Sequence, residues 1–300
     1  MSSPTSLSPS SFQFTVSEFF GYENTQVRYA CLQSPREDQT IPMTSCQKVL
    51  IFIPGLGGSV KGALDFLAHL LPHYDVIYGL DLRGFGLNQD LPLVNARHSY
   101  DDIEGFIESV VTAMPSSGLN PHGQIDIASI SLGSVLATHL TYHHAPWFRR
   151  SLLIAPAFKP HPTMFPLPYV LKNVWGQITR GPSFPVTLPY DIKALTLNPD
   201  VLNDPQYQAP PLTVNAGYLL SVRSLSLQAI KFAKALTVPT MVMVPGLDLV
   251  CDPHAMRDAY YGLPVDTEKK LVEYPQQYHD LLLEKERGEV AETAREWFSI

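Results

Sequence analysis

Short, wholly apolar runs alternate along this chain with stretches whose apolar residues fall three and four positions apart, the pattern of buried strands covered by amphipathic helices. Two strands are expected over residues 12–18 and 26–32, paired around Gly21-Tyr22-Glu23-Asn24. Residues 49–53, VLIFI, run straight into Pro54-Gly55-Leu56-Gly57-Gly58, and a run with no polar side suits a strand buried on both faces. Leu64, Leu67, Ala68 and Leu71 predict a helix, residues 75–80 a strand, and Ile103, Phe106, Ile107, Val110 and Val111 a helix over 100–114. Strands over 124–129, 151–155, 240–244 and 269–274 continue the alternation, with helices over 132–143 and 290–298. The expected fold class is α/β, a mostly parallel sheet flanked by helices.

The alternation stops between residues 158 and 236. Eleven prolines, from Pro160 to Pro211, crowd this stretch and disfavour regular strands in its first part, whereas residues 212–235 are more helical. A long proline-rich excursion inside an α/β unit reads as a lid. The expected organisation is a core over 12–157 and 237–300, a cap inserted over 158–236, a disordered Ser/Pro-rich tail over 1–11 and a surface loop over 34–46. No repeat of 20 to 50 residues points to a solenoid or propeller.

Composition narrows the function classes. The 300 residues are 45% hydrophobic and carry a net charge of -7, and no basic run with interleaved aromatics favours nucleic acid as a partner. The first basic residue is Arg28, so the start lacks the charged region of a secretory leader, and no apolar stretch approaches the roughly 20 residues of a membrane span. Cys31, Cys46 and Cys251 are widely spaced, which argues against a disulfide framework or zinc cluster and for a reducing, cytoplasmic location.

The chemistry converges on a strand-to-helix turn. Residues 125–128 run into Ser129-Ile130-Ser131-Leu132-Gly133-Ser134 and then a helix. A nucleophilic serine on so sharp a turn needs small residues two places either side, because strand and helix backbones pass close together. Only Ser131 meets this, flanked by Ser129 and Gly133; Ser129 and Ser134 would have Ile127 or Leu132 as flanks. A helix-capping serine is the plainer alternative. Pro54 to Gly58 ends a buried strand, where glycines let backbone N–H groups face a ligand, so the N–H groups of Leu56 and Leu132 are the expected oxyanion donors. Asp248 and His279 follow the last two expected strands, 240–244 and 269–274, at the sheet edge where open parallel sheets gather ligands. Ser131, Asp248 and His279 stand in the order nucleophile, acid, histidine.

With these residues the chain resembles the α/β-hydrolase superfamily, and more narrowly the branch of monoacylglycerol lipases and lysophospholipases. DLRGFG at 81–86, VPTMVMVPGLDLV at 238–250 and YHDLLLE at 278–284 are similar to that branch's segments D-x-R-G-x-G, P-x-L-v-x-x-G-x-x-D-x-i-v and g-x-H-e-l-x-x-E. The likeness covers nearly all of 18–298. The chain departs from the pattern at Pro54, where a His-Gly pair is common, at Ser129 in place of glycine, and at the single residue between Gly246 and Asp248, which leaves Asp252 as the fallback acid.

The resemblance implies an α/β-hydrolase fold with a cap and a serine hydrolase of carboxylic esters with an apolar acyl group, a monoacylglycerol or lysophospholipid. No metal or organic cofactor is expected. The expected partners are a small ester or lipid and, through the cap, a transient membrane contact. Phe165, Tyr169, Trp175 and Phe184 either line an acyl pocket or form the cap's own small core. Thioesterase, amidase or perhydrolase chemistry could use the same residues, and a non-catalytic ligand-binding protein of this fold is the rival from another class. His139 and His143 have zinc-like spacing without a third ligand and read as a helix face. Asp81 and Arg83 read as a salt-bridged turn, and Asp101 and Asp102 as a solvated helix start.

Overall fold

The computed structural model describes residues 12–34, 48–113, 125–207 and 211–300. The expected tail, nearly all of the expected 34–46 loop, Cys46 and Gln124 lie outside the described residues. The chain opens with β1 (Gln13–Phe20), β2 (Gln26–Gln33), β3 (Val49–Ile53), α1 (Leu64–Leu70), β4 (Val76–Gly79) and α2 (Ala96–Ala113). It continues with β5 (Ile125–Ile130), α3 (Leu132–His143) and β6 (Phe148–Ile154). The excursion then gives α4 (Leu167–Arg180), β7 (Pro185–Thr187), α5 (Ile192–Leu195), α6 (Pro199–Leu202), β8 (Thr213–Asn215) and α7 (Ala216–Ala233). Last come β9 (Thr240–Pro245), α8 (Pro253–Gly262), β10 (Lys269–Tyr274) and α9 (Arg287–Ser299).

Eight strands form one sheet in the order β1-β2-β4-β3-β5-β6-β9-β10. The β1–β2 hairpin joins it antiparallel and every pairing from β4 to β10 is parallel. Every residue of β3, β4 and β5 is buried, as apolar-rich strands require when helices cover both faces; the two polar residues of β5, Asp126 and Ser129, are buried with hydrogen-bond partners. On the helical side α1 packs with α9, and α7 packs with α2, α3 and α8.

Several expectations change. Leu225, Ala229 and Ala233 of α7 are buried in the same core as the sheet, and the buried His139 ring of α3 donates from Nε2 to the Leu225 carbonyl at 2.9 Å. Helix α7 thus belongs to the helical layer over the sheet, although the proline-rich run beside it made it read as cap. The described excursion does contain strands: β7 and β8 pair as a two-stranded ribbon, and Pro185 is tolerated as the first residue of a three-residue strand. Helix α8 was not foreseen, although Asp252 accepts from His254 N at 3.0 Å to cap it and Pro253 opens it.

The DLRGFG turn is also wired differently. Arg83 reaches Asp102 rather than Asp81, through two bonds of 2.6 and 2.8 Å, and both side chains are 4% exposed. Asp102 lies on the inward side of α2, so only Asp101 fits the solvated reading. The Asp81 carboxylate instead accepts from Val60 N at 2.6 Å and Leu87 N at 2.8 Å, tying the glycine-rich turn after β3 to the turn after β4. Removing one partner of a buried ion pair strands the other charge. Asp102→Ala is therefore expected to cost about 3 to 5 kcal/mol in urea unfolding, and a loss under about 1 kcal/mol would show that Arg83 finds water instead.

Candidate active site

Ser131 sits between the last residue of β5 and the first of α3 with φ 55° and ψ -118°, a backbone region that non-glycine residues rarely occupy and that a tight turn must enforce. The turn is pinned on both sides, since Ser131 N donates to Ile154 O at 2.9 Å and Ser131 O accepts from Ala157 N at 3.1 Å. Close approach explains the small residues around it. A Cβ on Gly133 would stand 2.3 Å from the Ile53 carbonyl oxygen, and one on Gly55 would stand 2.9 Å from Ser131 Cβ. Ser129, where glycine is usual, fits because its hydroxyl has somewhere to go: it donates to Leu152 O of β6 at 3.1 Å.

The structure brings the three expected residues together. Ser131 Oγ–H donates to His279 Nε2 at 3.0 Å, and His279 Nδ1–H donates to Asp248 Oδ2 at 2.6 Å. The other carboxylate oxygen of Asp248 accepts from Val250 N at 2.7 Å and Cys251 N at 2.8 Å, which fixes the carboxylate against the ring. The short spacing after Gly246 is absorbed where the turns meet. A Cβ on Gly246 would lie 2.5 Å from Pro275 O, and Leu247 N donates to Gln277 O at 3.0 Å, so the acid turn rests directly on the histidine turn. The fallback acid, Asp252, caps α8 and pairs with Lys159 at 3.5 Å. Burial works against a charged His279 ring, but the charge and hydrogen bond of Asp248, with the charge of Asp280, outweigh it and raise the ring above its ordinary value.

The two expected backbone donors lie in the turn after β3 and at the start of α3. Gly58 N donates to Gly55 O at 3.1 Å, closing a turn in which Gly57 takes φ 79°, so the N–H of Leu56 lies outside the closing bond. Leu132 is the first residue of α3, where the backbone N–H has no partner within the helix and the helix dipole favours negative charge.

This frame matches known proteins. The family described as serine aminopeptidase, S33, matches residues 44–286. The chain belongs to this family. Its fold is that of the α/β-hydrolases. It superposes on a monoacylglycerol lipase of Paleococcus ferrophilus with a TM-score of 0.68 at 20% identity, covering 83% of this chain and 93% of that one. A soluble variant of monoglyceride lipase from Saccharomyces cerevisiae, solved with a substrate analog, gives a TM-score of 0.72 at 18% identity, covering 93% and 94%. Among curated sequences it is 28% identical over 258 residues to the uncharacterized protein YnbC of Escherichia coli K12, covering 84% of this chain and spanning 42% of that protein's length.

Within this S33 family chain, the four expected cap aromatics lie apart from Ser131's recorded contacts. Phe165 stacks on Tyr169 at 5.6 Å, the Tyr169 hydroxyl donates to Thr187 O at 2.7 Å, and Phe184 packs where a Cβ on Gly176 would stand. Trp175, expected either to line an acyl pocket or to pack in the cap's own core, is 69% exposed on α4. Leu212, which the sequence did not single out, stands over the turn after β3, 3.5 Å from where a Cβ on Gly57 would be. Cys251 was also missed. Burial, then the charge of Asp248, pushes its thiol well up against the opposing pull of its hydrogen bond with Ser131, so it is held as a neutral neighbour of the serine. Asp248, Cys251 and His279 are the one metal-like grouping among the described residues, but the Asp248 and His279 atoms that face each other are already joined by a hydrogen bond.

The glycine contacts make a sharp contrast. Gly133→Ala must push β3 aside and is expected to lower stability by more than about 3 kcal/mol or to give insoluble protein. Gly105→Ala, in α2 with nothing within 4 Å of the added Cβ, should gain up to about 1 kcal/mol in the same urea titration. Equal behaviour of the two would remove the steric account of the elbow.

Proposed function

We propose that this protein is a serine hydrolase of carboxylic esters that works through an acyl-enzyme on Ser131, with an apolar acyl chain of the monoacylglycerol or lysophospholipid type on its substrate. The carrying observation is Ser131 held at φ 55° with its hydroxyl bonded to His279 Nε2 at 3.0 Å. Membership of the S33 family and the likeness to a lipase bound to a substrate analog support the reading.

In this mechanism Ser131 Oγ attacks the ester carbonyl while its proton passes to His279 Nε2. Asp248 holds the tautomer and stabilises the imidazolium that forms. The N–H groups of Leu56 and Leu132 receive the developing oxyanion, a contribution worth about 2.7 to 4 kcal/mol per donor in related sites. The alcohol leaves with the proton from Nε2. Water, deprotonated by the same nitrogen, then cleaves the acyl-enzyme and frees the acid.

The cap supplies the lipid side of the proposal. On α4, Leu167, Val170, Leu171, Val174, Trp175 and Ile178 repeat at helical spacing, and all six are exposed, Ile178 at 72%. Residues 159–190 hold Lys159, Lys172 and Arg180 and no acidic residue, against a net charge of -7 for the chain. An apolar stripe bordered by cations suits an anionic lipid surface. No described helix is long and apolar enough to cross a membrane, so the contact would be interfacial.

Hydrolysis of p-nitrophenyl esters from acetate to palmitate is the direct test. Wild type is expected to turn over the longer acyl chains best, and Ser131→Ala to lose at least about a thousandfold. A folded wild type that cleaves none of them and resists a fluorophosphonate probe would leave a ligand-binding protein; thioester or anilide turnover alone would redirect the leaving group. Because the free base is required and His279 is raised, kcat/KM should fall with acidity through a limb above about pH 6.5, and Asp248→Asn should move that limb down while lowering kcat about 10⁴-fold. For the surface, Trp175 fluorescence should shift to the blue with vesicles containing phosphatidylserine and less with phosphatidylcholine alone, and Leu171→Asp should cut the bound fraction at least tenfold. No shift with either vesicle would exclude α4 as the docking helix.

A further inference from the structure

One part of the histidine segment has no place in the chemistry above. Glu284 closes the YHDLLLE motif, is only 6% exposed and makes no ion pair with a cation among the described residues. Its carboxylate faces donors instead. It accepts from the N–H of Tyr278, the residue before His279, at 2.9 Å. It also accepts from the Thr196 hydroxyl and the Leu197 N–H, both in the stretch that follows α5. Two further bonds join the same partners: Asp280 N donates to Leu195 O at 2.9 Å, and Asn198 Nδ2 donates to Leu283 O at 2.8 Å. Thr196 and Asn198 are buried, and Asn198 N donates to Thr196 Oγ1 at 3.0 Å, which orients the hydroxyl toward Glu284.

We propose that Glu284 is a positioning residue for His279: it latches the 278–284 loop to the 195–198 stretch of the excursion, so that seating of the excursion and presentation of the histidine to Ser131 are one event. The inference rests on the reading of His279 as the base. A carboxylate is required because all three neighbours donate. An isosteric amide would set an N–H₂ against at least one of them, and misplacing a catalytic base by about 1 Å costs on the order of 10²-fold in rate. Asp280 and Glu286 are the nearby acids, and Arg287 meets Glu284 at its backbone carbonyl, at 3.4 Å, while pairing with Asp65 at 3.6 Å.

The test compares Glu284→Gln, Thr196→Val and Thr196→Ser with wild type, scoring kcat and KM per active site titrated by a fluorophosphonate. The expected result is a 10- to 100-fold fall in kcat for E284Q with KM within about threefold, a smaller fall for T196V, and recovery in T196S. The rate of fluorophosphonate labelling of Ser131, which needs the same base and no ester substrate, should fall in parallel, so the latch is tested even if the natural substrate is not a carboxylic ester. The low-field proton resonance of His279 Nδ1–H gives a readout independent of any reaction and should weaken or move in E284Q but not in T196S. Unchanged kcat and labelling per titrated site with an unmoved resonance, alongside a lowered Tm, would overturn the proposal and leave Glu284 a purely structural bond.

Discussion

The structure turns on the closeness with which β3 passes the elbow between β5 and α3. Only 2.3 Å would separate a Cβ on Gly133 from the Ile53 carbonyl, so the two backbones touch with no side chain between them. That contact fixes the positive φ of Ser131 and lifts its hydroxyl off the end of the sheet. It also sets the start of α3 directly against the turn after β3. The sharp turn at Ser131 is thus a consequence of one steric constraint, and the sheet's parallel order makes it possible by placing β3 next to β5.

Around that contact the remaining parts are held by hydrogen bonds between loops. Asp81 ties the turn after β3 to the turn after β4, the acid turn donates to the histidine turn through Leu247, and Glu284 ties the histidine turn to the excursion. Each is a carboxylate or carbonyl that accepts from backbone donors of a neighbouring loop. Loops carry the chemistry in such folds because a rigid sheet presents them. Here they also brace one another, so the buried Asp81 and Glu284 carboxylates are met by hydrogen-bond donors rather than by ion pairs among the described residues.

The excursion divides into parts with different physical roles. Helix α7 returns to the core and behaves as an ordinary crossover helix between β6 and β9. The 195–198 stretch holds the histidine loop. Helix α4 does neither: it exposes its apolar stripe, and its neighbouring cations break the acidic character of the chain. A large exposed apolar face on a folded protein calls for a partner, and this is the face that the proposed interfacial contact uses.

The sequence by itself determined the alternation of buried strands and helices, because strands covered on both faces are dominated by apolar residues, and it determined the elbow, because only small residues survive the close approach. Ser131, Asp248 and His279 were legible from their places at strand ends. Tertiary structure alone decided what lies between elements distant in the chain. Arg83 took Asp102 rather than Asp81 because the inward side of α2 meets the turn after β4, and Asp102's neighbour Asp101 gave no sign of which way each would point. Proline density set the expected excursion at 158–236, but α7 within it packs into the core, since composition cannot tell which helix face finds the core. Cys251 beside the serine gave no sign of its neighbour, and Glu284, although it closes the YHDLLLE motif, gave none of its partners in the 195–198 stretch. A residue's own spacing carries no record of who will face it.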